Sequence, residues 1–100
     1  DAFELRVRHP EATTLELSEL GSVQHGVLAT RIREREEGTY AFQVSRLDRE
    51  NLRDFTATLT IVLGPGTAEE RLITQEVVLS RTNLTATFSL AADGTLSRVP

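Results

Sequence analysis

Cysteine is missing from this 100-residue chain, and so are lysine, methionine and tryptophan. Without cysteine, neither a disulfide nor a thiolate metal site can hold the fold. Without tryptophan, and with only Tyr40 and four phenylalanines as aromatic residues, there is little from which to build platforms for sugar rings. All 11 basic residues are arginine, a bias that points to a GC-rich genome before it points to chemistry. Fifteen acidic residues outnumber them and the formal charge is −4. That balance argues against nucleic acid as a partner, since phosphate binding leans on clustered basic groups. No apolar run approaches the roughly 20 residues of a membrane-spanning helix, so no membrane insertion is expected. No signal-peptide pattern opens the chain, and it starts at Asp1. We read residues 1–100 as a single domain and as a segment of a longer protein.

Alternation of apolar and polar residues fills most of the chain. In a strand, parity is a face. In FTATLTIVL, Phe55, Ala57, Leu59, Ile61 and Leu63 take one parity, while Thr56, Thr58, Thr60 and Val62 take the other. AFELRVRH sets Phe3, Leu5 and Val7 against Glu4, Arg6 and Arg8, before Pro10 breaks the ladder. TLELSEL predicts a shorter strand with Leu15 and Leu17 inward. VLATRIRERE predicts a strand with Leu28, Thr30 and Ile32 on one face that runs out into charge before Gly38. TYAFQVS carries Tyr40, Phe42 and Val44 inward. RLDRENLRD reads as a loop, with one helical turn after Asp48 as an option. GPG at Gly64–Gly66 reverses the chain, RLITQEVVLS returns, and LTATFSL follows the RTN turn. Asp93-Gly94 then signals a tight hairpin before TLSRV.

About eight strands at roughly 8–12-residue spacing predict an all-β, antiparallel β-sandwich, immunoglobulin-like or jelly-roll-like. Large residues at inward positions (Phe3, Phe42, Leu59, Ile61, Phe88) suit a core about 10 Å thick between two sheets.

Two stretches also resemble known modules. ELRVRHP at Glu4–Pro10 is similar to the opening strand of an uncharacterised bacterial family of accessory β-sandwich domains, which accompany tetratricopeptide-repeat or von Willebrand A modules. GTYAFQV at Gly38–Val44 resembles that family's central strand, a pattern shared with pre-peptidase C-terminal and P-type domains. The resemblance spans nearly the whole chain in the order of its strands. It implies a bacterial accessory module; the compartment stays open, with an extracytoplasmic (periplasmic or secreted) place as the favoured option. The family's opening is acidic; here Ala2 stands at one acidic place and Glu4 at another. Asp1 and Glu4 alone are a poor cage for a hard cation, so neither metal nor other cofactor is expected.

Candidate chemistry is sparse. His9 and His25 belong to no nucleophile or zinc motif. Glu36-Glu37 and Glu69-Glu70 are adjacent residues, which an extended chain points to opposite faces, so neither pair is suited to acid–base work. Arg31, Arg33 and Arg35 would share a face of the third strand, as Arg6 and Arg8 do on the first, and guanidinium rows suit carboxylate or sulfate. Interleaved Glu34, Glu36 and Glu37 offer the alternative of a charge-paired surface. Thr56, Thr58 and Thr60 with Thr85 and Thr87 would make a flat ice-binding array, or simply the wet side of ordinary strands. Asn83-Leu84-Thr85 is a glycosylation sequon. The expected function is non-catalytic: spacing, docking or protein–protein contact with other domains of the parent chain or another protein. Anion or small-ligand binding at the arginines is the alternative.

Overall fold

The computed structural model describes residues 2–22, 26–47, 54–80 and 82–99, with the backbone alone at 2, 19–22 and 55. Each alternating run forms a strand: β1 (Ala2–Arg8), β2 (Glu16–Ser22), β3 (Val27–Ile32), β4 (Tyr40–Arg46), β5 (Phe55–Leu63), β6 (Arg71–Leu79), β7 (Thr85–Leu90) and β8 (Leu96–Val99). No helix occurs among the described residues, so none is long and apolar enough to cross a membrane. Asp1, His25, Arg81 and the optional helical turn after Asp48 lie outside the described residues.

The strands make a five-stranded sheet in the order β2-β1-β4-β7-β8 and a three-stranded sheet in the order β3-β5-β6. One core lies between them. Phe3, Leu5, Val7, Tyr40, Phe42, Val44, Ala86, Phe88 and Leu90 enter it from the larger sheet. Leu28, Ile32, Ala57, Leu59, Ile61, Leu63, Val77 and Leu79 enter from the smaller. The inward parities read from the sequence in β1, β3, β4, β5 and β7 are therefore the buried ones, and the sandwich follows from them.

Two details differ from expectation. All strand pairs are antiparallel except β3 and β5, which run parallel, Leu28 beside Leu59 and Ile32 beside Leu63. Between them the chain crosses to the other sheet to form β4 and then crosses back. Each crossing reverses its direction, so two crossings restore it. Leu17 points outward and is 51% exposed, while Leu15 lies before β2 and is half-buried. The register of β2 on β1 jumps from Leu5↔Glu19 to Arg6↔Leu17, leaving Ser18 as an extra residue. Without that bulge, Leu17 would stand opposite Val7 on the core face; with it, the parity flips. The displaced Ser18 reaches the opposite sheet, where its Oγ lies 3.1 Å from Thr30 Oγ1 on β3.

Glycine is required at the turn before β4. Gly38 has φ +114°, and a Cβ there would come within 2.8 Å of the Pro10 Cβ. Tyr40 follows, fully buried beneath that turn.

Candidate functional site

The arginines expected to form rows are divided among different surroundings. On β1, Arg6 Nε donates to Glu4 Oε1 at 2.8 Å, and this hydrogen bond, with the charge behind it, raises the already high Arg6 pKa. Arg8 Nη1 lies 3.5 Å from the Ala12 carbonyl oxygen. Arg31 faces outward on β3 beside Val62. Arg33 and Arg35 lie beyond the end of β3 at Ile32 and turn to the end of the sandwich. There Arg71, from the start of β6, joins them around a cleft of about 480 Å³.

Leu63, Gly64, Thr67 and Ala68 line the rest of the cleft, with Glu69 as its carboxylate. The β5–β6 turn forms this wall and is internally braced. Thr67 Oγ1 donates to the Gly64 carbonyl at 2.7 Å, and the Gly66 amide donates to Glu70 Oε1 at 3.0 Å. Gly64 N–H in turn holds the Ile32 carbonyl at 2.9 Å, so the end of β3 is anchored to the same turn.

The arginine-bearing loop is fixed by four contacts. The Glu36 amide donates to the buried Tyr40 hydroxyl at 2.8 Å, and the Glu36 carboxylate lies 3.5 Å from His9 Nδ1. Arg35 Nη2 donates to the Ala91 and Ala92 carbonyls at 2.7 Å each. These bonds occupy one nitrogen of Arg35 and leave its remaining donors. Arg71 reaches the β7–β8 turn, its Nη1 3.5 Å from the Asp93 carbonyl, and a Cβ at Gly94 would overlap its guanidinium. Asp93 accepts the Thr95 amide at 2.9 Å, which holds its carboxyl below the ordinary range, with Arg71 adding a smaller pull. Arg33 forms no hydrogen bond or ion pair with any described residue. The cleft thus offers one uncommitted guanidinium and two partly committed ones.

The histidine cleft is different. His9 packs edge-on against Tyr40, ring centroids 5.4 Å apart. It shares a smaller hollow of about 190 Å³ with Glu16, Ser18, Thr30 and Arg31. Ser18 meets Thr30, and no hydrogen bond joins Ser18 to His9 among the described residues. Among those residues, no group of three metal-capable side chains assembles. Melting temperature is therefore expected to be the same in excess chelator and in added calcium. A calorimetric shift of many degrees would overturn that, since binding only the folded state must stabilise it.

Thr56, Thr58 and Thr60 face outward on the three-stranded sheet, while Thr85 and Thr87 face outward on the other. They lie on opposite sides of the sandwich and cannot form one array. Asn83 is exposed in the Ser80–Asn83 turn that carries the chain between sheets.

Sequence reading passed over two residues. Arg71 is one, because nothing local ties it to Arg33 and Arg35. Arg46 is the other: it follows Tyr40, Phe42 and Val44 on the inward parity of β4 and is only 3% exposed, opposite Phe3. Parity alone would have found it. Comparison with protein-family models, with curated proteins and with solved structures yields no match to this chain.

Proposed function

We propose that the chain is a non-catalytic docking module whose loop end receives a carboxylate-bearing segment of a partner protein or neighbouring domain. One observation carries this reading: in a chain of net charge −4, Arg33 and Arg35 from the loop after β3 and Arg71 from the start of β6 meet at a single cleft. Clustered guanidinium groups repel one another, and a planar carboxylate offers each a bidentate partner. Beside Leu63 and Ala68, the cleft also gives a peptide apolar surface next to its charge. The likeness of ELRVRHP and GTYAFQV to accessory β-sandwich modules supports the same reading. A second reading, capture of a small free anion, is favoured by the uncommitted Arg33.

Titration calorimetry at low ionic strength separates the two readings, using a glutamate-rich peptide, citrate and sulfate as probes. Docking predicts that the peptide binds and the small anions do not; the second reading predicts citrate or sulfate binding. In either case, Arg33→Ala with Arg71→Ala should weaken binding roughly tenfold or more, and added salt should weaken it steeply. Arg31→Ala, altered on the outer sheet face, should leave affinity unchanged. Equal affinity in the Arg33, Arg71 double variant would remove the cleft from consideration.

A further inference from the structure

The two sheets differ in width, and the difference leaves a lane. The smaller sheet ends at β6, whose second edge pairs with no strand among the described residues. The larger sheet continues past β7 to β8. By register, Leu96 shares a side with Leu90, and Arg98 with Phe88. Leu90 and Phe88 are buried under the opposite sheet, yet Leu96 is half-buried and Arg98 exposed. On β6, the inward residues Val77 and Leu79 are buried, whereas Ile73 and Gln75 are half-open. Arg71 meets the β7–β8 turn, so the open half of β6 and the strand β8 start from the same end of the sandwich. The free edge of β6 is one wall of the lane and the inward side of β8 is its floor.

β6 carries few of the devices that protect an edge. It has no proline, no lysine and no break in its register with β5, and one local cap, the Gln75 Nε2 that donates to the Glu76 carbonyl at 2.9 Å. Its charged residues are Arg71 and Glu76, and it shows Leu72 at 64% and Val78 at 46% exposure.

From this geometry we infer that the lane accepts an extended segment of another polypeptide as an added strand of the β3-β5-β6 sheet. Its backbone bonds the free edge of β6, its inward apolar side chains cover Leu96 and Ile73, and an acidic side chain meets Arg98. Arg98 makes no hydrogen bond or ion pair with any described residue, and a carboxylate is its natural complement. Strand addition of this type takes affinity from the main chain and specificity from alternate side chains. A second copy does not fit the lane. Pairing β6 with β6 about a two-fold axis would drive the two larger sheets into each other, because each continues past β7 to β8 while the smaller sheet ends at β6.

The test uses a short peptide alternating threonine with valine, leucine and a single glutamate, followed by backbone NMR. Binding should slow amide exchange along β6 and shift the Leu96–Val99 resonances. Arg98→Glu, at an exposed site, should lower affinity roughly tenfold or more, and a peptide with lysine in place of the glutamate should recover it. Equal affinity for wild type and Arg98→Glu, protection at β2 or β3 instead, or no binding at millimolar peptide would each overturn the proposal. So would concentration-dependent dimerisation with the same β6 protection, which would give the lane to a second copy.

Discussion

Phe42→Ala is expected to cost about 3–5 kcal/mol, the usual penalty for emptying a buried phenylalanine site. Phe42 is fully buried on β4, the central strand of the larger sheet, with Val7 opposite on β1 and Phe88 opposite on β7. The Tyr40 ring lies 6.3 Å away in a stacked orientation. Neighbours on a central strand cannot close around a void without distorting two ladders, so little of the cavity should collapse. A domain of this size has about 5–15 kcal/mol of stability, so the loss is a large fraction of the whole. It should lower the melting temperature by roughly 15–30 °C. Urea denaturation gives the free energy directly, and a loss under about 1 kcal/mol would mean that the ring lies outside the core.

That prediction needed only the sequence. In TYAFQVS the inward residues can be named because a period of two leaves a single choice once one face is apolar. The same logic reaches Arg46, because an arginine at the end of an inward row is still inward. Leu17 shows where the logic stops. One extra residue, Ser18, inverts the faces, and nothing in ELSEL marks which residue bulges. The parallel pairing of β3 with β5 was invisible for another reason: alternation says that a strand has two faces, not which sheet it joins. The arginine cleft combines both limits. Arg33 and Arg35 are neighbours in sequence and invite a row, yet their strand ends at Ile32. Their companion Arg71 arrives only because the β5–β6 hairpin folds back to the same end.

Leu59→Glu should cost more than about 4 kcal/mol, beyond the ordinary range for one substitution, while changes at the adjacent Thr58 should cost little. Leu59 is fully buried on β5, the central strand of the smaller sheet, between Leu28 and Gln75 in the ladder. Burying a leucine is worth about 1.5–3 kcal/mol, and a carboxylate in its place would also enter the core without a partner. Thr58 faces the other way, half-buried on the outer surface between Val27 and Glu76. The sign of a charge placed there matters. Thr58→Lys sits opposite Glu76 and should remain within about 0.5 kcal/mol of the original protein. Thr58→Glu sets like charges directly opposite each other and should be worse than the lysine by roughly 0.2–1 kcal/mol. Urea denaturation of all three variants reads the contrast. If both Thr58 variants lost as much as Leu59→Glu, the outer face of the smaller sheet would be buried in solution, against an assembly partner that covers Val27, Thr58 and Val78 together.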